Sequence, residues 1–204
     1  IFYLPLHENW PESMDEHYTG DYWADRAFTP GYRNAFVSTS RAFAKHIEGK
    51  GWHNTLFHCY LNNKINFKQD GWSRGSSPWL LDEPANFQDY WALRWFGLAF
   101  QEGIAGQAPH ARLLYRCDIS RPQWERDSLN GLLDYYVVGG KAFRKYRRMV
   151  LDRKRDFGLV VVDYGSTNDL TESNMQSVGW CLDSWTLGSD GVLPWQTIGR
   201  SSSW

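Results

Sequence analysis

Short apolar runs alternate with amphipathic segments along nearly the whole chain. The runs are Ile1–Leu6, Thr55–Leu61, Trp79–Leu81, Ala111–Cys117, Leu132–Val138, Gly158–Val162 and Gly191–Trp195. Most are continuous rather than alternating, as in strands covered on both faces. Between them, Phe36, Phe43, Ala44 and Ile47 fall on one face of a helix near 31–49. Phe87, Trp91, Trp95 and Leu98 do the same near 86–102, with Gly103 at the exit. Further helices are expected over 123–130, over 141–155, and from Asp169, with Glu172 three positions on as in a capping box, to about Leu187. Seven strands separated by helices predict an α/β protein with a parallel sheet. No G-x-G-x-x-G or P-loop sequence follows any strand, so an open nucleotide-binding sheet lacks its phosphate cradle. The expected fold is a (β/α)8 TIM barrel, incomplete, with about seven of eight strands present.

Length modifies that picture. The 204 residues make one domain, 1–204, but a complete barrel takes about 250 residues. With Ile1 already inside an apolar run, the chain reads as a fragment of a longer protein. Net charge is −1, which gives no basic field for nucleic acid. The basic stretch Lys141–Arg155 carries Phe143, Tyr146, Val150 and Leu151 at helical spacing, as a solvated helix face does. No segment is apolar and long enough to span a membrane, so no membrane insertion is expected. Cys59, Cys117 and Cys181 have no metal spacing and make no even disulfide framework; Cys59 and Cys117 read as buried thiols.

The unusual quantity is aromatic: 12 Trp, 11 Tyr and 11 Phe make up 17% of residues. Most such rings fill core, but rings with a polar edge also suit the apolar C–H faces of sugars. A carbohydrate partner is the expectation. The loops 11–30 and 64–78, with Tyr18, Tyr22, Trp23 and Trp72, are candidates to shape its subsites.

In barrels the active site gathers at the C-terminal strand ends, and polar residues recur there. His7, Glu8 and Asn9 follow the first run, Asn62 and Asn63 the second, Asp82 and Glu83 the third. Asp118 follows the fourth, Gly139-Gly140 the fifth, Asp163 and Tyr164 the sixth, and Trp195 with Gln196 the seventh. The sharpest is Trp79-Leu80-Leu81-Asp82-Glu83-Pro84, where an apolar run ends in adjacent acids and a proline. Glycosidic cleavage needs a proton donor for the leaving oxygen and a group that stabilises the oxocarbenium-like centre, and a carboxyl pair can divide those tasks. The alternative for the same pair is helix capping before Phe87. His7 and His58 with Asp82 or Asp163 could be imagined around a metal, but no motif supports it. No metal and no cofactor is assigned.

These features resemble glycoside hydrolase family 123. The matching order begins with a strand ending Asp82-Glu83-Pro84 and an aromatic helix. A strand after Pro109-His110-Ala111-Arg112 follows, then Leu129-Asn130-Gly131 and the strand Leu133–Val137. An Arg-rich helix, the strand Val160–Tyr164, a Trp-bearing helix and Gly188-Ser189-Asp190-Gly191-Val192-Leu193-Pro194-Trp195 complete it. It spans roughly 78–197; the family's first strand and N-terminal β-sandwich are not matched.

The resemblance implies a secreted or periplasmic enzyme that hydrolyses β-N-acetylhexosaminides with substrate assistance and retention. Asp82 would orient the 2-acetamido group, and Glu83 would be general acid, then base. Tyr164 or Tyr136 would hydrogen-bond the acetamido group, and Trp195 would floor the sugar pocket. His7, Glu8, Asn62 and Asp163 complete the expected substrate site. Two alternatives stand beside it. One is a covalent glycosidase mechanism using Glu83 and Asp163; the other is a non-catalytic carbohydrate-binding barrel.

Overall fold

A computed structural model of the chain describes residues 1–21, 23–63, 78–166 and 173–195. Six parallel strands form one sheet in chain order: β1 (Phe2–Tyr3), β2 (Leu56–Tyr60), β3 (Arg112–Ile119), β4 (Tyr135–Gly139), β5 (Val160–Gly165) and β6 (Gly191–Pro194). Each new strand adds to the same edge, the winding of a barrel rather than of a doubly wound sheet. The sheet curls into a half-barrel.

The expected seven-strand, eight-fold barrel is corrected by this topology. Among the described residues β1 and β6 each have one ladder neighbour, and no full (β/α)8 barrel forms. Trp79–Leu81 is the run that fails to become a strand. β2 pairs directly with β3 from Leu56↔Arg112 to Tyr60↔Arg116, which leaves no place between them. Trp79 and Leu81 are apolar because their side chains are buried in the core, not because their backbone joins a ladder. The amides of Leu81 and Asp82 both donate to the Asn63 carbonyl instead.

Helices connect the strands: α1 (Met14–His17), α2 (Ala24–Ala27), α3 (Pro30–Gly49), α4 (Phe87–Ile104), α5 (Pro122–Glu125), α6 (Gly140–Lys145), α7 (Arg147–Phe157) and α8 (Asn174–Leu187). The single helix expected over 141–155 is two, interrupted at Tyr146 (φ −112°, ψ 25°). α8 opens at Asn174, capped by the Ser173 side chain, which accepts from the Met175 amide. The Asp169–Glu172 capping box, Tyr22, the loop 64–77 with Trp72, and Gln196 with the tail behind it lie outside the described residues.

Strand side chains alternate between two faces. The outward set, Leu4, Phe57, Cys59, Leu61, Leu113, Tyr115, Cys117, Ile119, Tyr136, Val138 and Val161, packs beneath the helices in the main core. The inward set is smaller, with Tyr135, Val137 and Val162 buried and Leu114, Val160, Tyr164 and Leu193 beside them. Cys59 and Cys117 are buried free thiols, as expected.

α4 is the central helix, burying Tyr90, Leu93, Phe96 and Phe100 completely; each such side chain contributes about 1.5–3 kcal/mol. Gly103 does not mark its exit but lies inside its last turn, where α4 crosses α3. A Cβ there would meet Ser40 Cβ at 2.5 Å and the Val37 carbonyl oxygen at 2.7 Å, so only glycine allows the approach. No helix of the described residues is long and apolar enough to cross a membrane.

Candidate active site

The segment carrying Asp82 and Glu83 is fixed from both sides. The Asn63 carbonyl holds it against the end of β2, and the Glu83 amide donates to the Asp118 carbonyl at the end of β3 (3.1 Å). Asp89, buried in the first turn of α4, accepts from the amides of Leu80 (3.0 Å), Ala85 (2.9 Å) and Asn86 (3.0 Å). Asn86 completes a reciprocal capping box by accepting from the Gln88 and Asp89 amides. Helix capping is therefore performed by Asn86 and Asp89, not by Asp82 and Glu83.

Both acids sit instead at the C-terminal ends of β2 and β3. Asp82 is buried, and Glu83 is partly exposed with φ 57°, a left-handed conformation that costs energy in a residue other than glycine. Ser120 donates its hydroxyl to Glu83 Oε1 (2.5 Å), and Arg121 donates to the Glu83 carbonyl (3.0 Å).

Asp118 lies beside them on the inward face. Arg116 grips it in a bidentate pair, Nε to Oδ1 at 2.7 Å and Nη2 to Oδ2 at 2.8 Å. Burial, with a smaller contribution from the charge of Glu83, pushes the Asp118 carboxyl above the ordinary range although Arg116 opposes the shift. The Arg116 guanidinium is flanked by the rings of Tyr60 (4.1 Å) and Tyr135 (5.5 Å), its register neighbours on β2 and β4.

The Tyr60 hydroxyl is electrostatically coupled to both Asp82 and Asp118. Burial and those two carboxylates drive its pKa far up, so it stays a proton donor. Three carboxylates thus share one patch with an arginine, a tyrosine and a serine.

Tyr164 and Trp195 come together at the other end of the mouth, edge to face at 6.1 Å. Tyr164, on β5, stands two strands from Asp118, about 10 Å across the sheet, and Trp195, following β6, one strand farther. Trp195 is 44% exposed and offers a ring face to a ligand.

Other expected site residues are placed elsewhere. Asp163 points outward and is fully buried; its Oδ2 accepts from Trp180 Nε1 (3.0 Å) and Ser184 Oγ (2.6 Å), which tie β5 to α8. A Cβ on Gly140 would stand 2.9 Å from Asp163 Oδ1, so this glycine lets the start of α6 pass close to the acid. Tyr136 also points outward and donates to Glu125 Oε2 (2.7 Å), which Arg153 pairs at 2.9 Å.

Glu8 is buried behind β1, where its charge acts on Tyr32, Tyr3 and Cys59 and its carbonyl accepts from the Tyr32 hydroxyl. His7 bridges to Trp10, and its Nδ1 accepts from the Asn9 amide (3.2 Å). Asn62 is exposed; its neighbour Asn63 does the positioning. Tyr18 and Trp23, expected at a subsite, pack edge-on against Trp79 and against Phe87 with Trp91.

Sequence reasoning missed Tyr60, Arg116 and Ser120 as site residues. The first two lie inside strands whose alternation was hidden because both faces are largely buried. Among the described residues, His7 and His58 do not join a group of three metal-ligating side chains. Glu48, His53 and His110 do, at the opposite end of the strands.

Comparison with family models, with curated proteins and with solved structures found no match.

Proposed function

We propose that this chain is a glycoside hydrolase acting on a 2-acetamido sugar, with Asp82 and Glu83 as its catalytic pair. The observation that carries the reading is the release of both acids from helix capping by Asn86 and Asp89, and their gathering with Asp118, Tyr60 and Ser120 at the strand ends.

In this reading Asp82, with the Tyr60 hydroxyl beside it, orients the acetamido group. The acetamido carbonyl oxygen bonds to the anomeric carbon as the bond to the leaving oxygen breaks, and Glu83 gives that oxygen its proton. Water then attacks the anomeric carbon as its bond to the acetamido oxygen breaks and the acetamido group re-forms; Glu83 takes a proton from that water, and the sugar leaves with retained configuration. Trp195 and Tyr164 supply the apolar platform. The acetamido hydrogen bond falls to Tyr60 or Tyr164, since Tyr136 faces the helices. The alternative that uses Asp163 as nucleophile lacks support, because that carboxyl is turned away from the mouth and engaged by Trp180 and Ser184.

The test is a panel of chromogenic aryl glycosides with and without the 2-acetamido group. Turnover of the acetamido members, blocked by a thiazoline mimic of the cyclised intermediate, is expected. Hydrolysis that ignores the acetamido group, or covalent trapping by a 2-fluoro sugar, would overturn the mechanism; binding of the sugars without turnover of any would overturn the enzyme.

A further inference from the structure

At the N-terminal end of β2 and β3, away from the carboxylate patch, three side chains from separate parts of the chain converge. Glu48 comes from the last turn of α3, His53 from the α3–β2 connection, and His110 from the α4–β3 connection. Glu48 Oε1 lies 2.6 Å from His110 Nδ1 and 3.6 Å from His53 Nε2, and one ligand atom of each residue lies within 4.8 Å of the others. Metal bonds of about 2.0–2.1 Å at tetrahedral angles place ligand atoms about 3.3 Å apart. The two measured separations bracket that value, so small rotations of exposed rings would close the site.

The other carboxylate oxygen is already committed. Glu48 Oε2 accepts from the backbone amides of His110 (3.2 Å) and Ala111 (3.0 Å), which fixes the carboxylate plane and aims Oε1 at the imidazoles. Orientation of a ligand by a second ring of hydrogen bonds is what a metal site requires. Two imidazoles and one carboxylate suit zinc and its first-row neighbours rather than calcium or magnesium, which take oxygen ligands. His53 and His110 are both exposed, so an ion and a completing water can reach the site.

We propose that Glu48, His53 and His110 form a zinc-type divalent metal site that clamps the end of α3 to the starts of β2 and β3. The ion replaces the Glu48–His110 hydrogen bond, and its proton is lost to solvent or moves to the far nitrogen of the His110 ring. The site is independent of the proposed catalysis.

The experiment is calorimetric titration of zinc chloride into the intact chain carrying Cys181→Ser, which removes the one exposed thiol among the described residues. Thermal unfolding is followed in parallel, and cobalt is substituted for zinc to read coordination from visible d–d bands. The expected result is one zinc per chain, cobalt bands of tetrahedral nitrogen–oxygen ligation, and an unfolding midpoint raised by roughly 5–10 °C at a hundredfold excess over Kd. His53→Ala and His110→Ala, both at exposed positions, should each abolish the bands and the midpoint shift. Saturable binding that survives both substitutions, or no saturable binding to the parent chain, would overturn the site.

Discussion

Tyr60 is coupled to Asp82 and Asp118, and the neighbouring inward residue of its strand, His58, shows what burial on this face does to a titratable group. His58 lies against the rings of Tyr3 and Tyr135, and its Nδ1 has no hydrogen-bond partner. Burial first, then the nearby Arg116 charge, lowers its pKa to about 4. An unfolded histidine takes a proton near 6.5. Between those values the unfolded chain holds more protons, so His58 costs stability progressively as pH falls from about 6.5 to about 4. Glu125 acts in the opposite sense. Burial raises it to about 7, so its contribution weakens the fold as pH rises from about 4.5 to about 7. His58→Phe keeps the ring contacts and isolates the first effect. Urea unfolding from pH 7 to pH 4 should show the variant gaining on the parent chain as pH falls; a constant difference would contradict it. Asp163 teaches a related lesson. Its position after an apolar run gave no sign of which face it takes, and with Trp180 and Ser184 bonded to it, it is a joint between β5 and α8.

Element by element, the periodic pattern was readable where burial is one-sided. α3 and α4 fall close to their expected spans, but the stripe expected on α4 is its more exposed side: Phe87 and Leu98 are exposed, whereas Tyr90, Leu93, Phe96 and Phe100 are buried. The Trp79–Leu81 run misled because a buried loop and a buried strand share one composition. What separates them is partner backbone, here the direct pairing of β2 with β3 and the Asn63 carbonyl. Asp89 decides the shape of the site at this scale, since it holds three amides of the segment around Asp82 and Glu83. Asp89→Ala leaves those donors without their acceptor and should cost about 2 kcal/mol or more in chemical unfolding. In the proposed enzyme it should also lower kcat without contacting substrate, and Asp89→Asn should recover part of both losses. Full turnover with unchanged stability would show that the loop is held by other means.

At the scale of the molecule, a parallel sheet with connecting helices was legible, and the number of strands was not. Alternating apolar runs and helices suit a doubly wound sheet as well as a barrel, and β1 to β6 add in chain order. Closure depends on which edges find partners, a long-range property that no local pattern carries, and the described sheet is a curled half-barrel with two open edges. The mouth follows the same logic. Asp82 and Glu83 were visible as a pair at a run's end, whereas Tyr60, Arg116 and Ser120 join them only through register across β2, β3 and β4. In the proposed reading, the half-barrel is the scaffold that carries the acid pair at the ends of β2 and β3 and the Tyr164–Trp195 rings at the ends of β5 and β6.

That claim is tested most directly by turnover of an aryl 2-acetamido glycoside by the parent chain and by Glu83→Gln, with thermal unfolding of both as the control for folding. The account predicts hydrolysis by the parent, a loss of about 10²–10⁴-fold in kcat/KM for the variant, and closely similar unfolding midpoints. Equal turnover by the two proteins, or no hydrolysis by the folded parent, would contradict it.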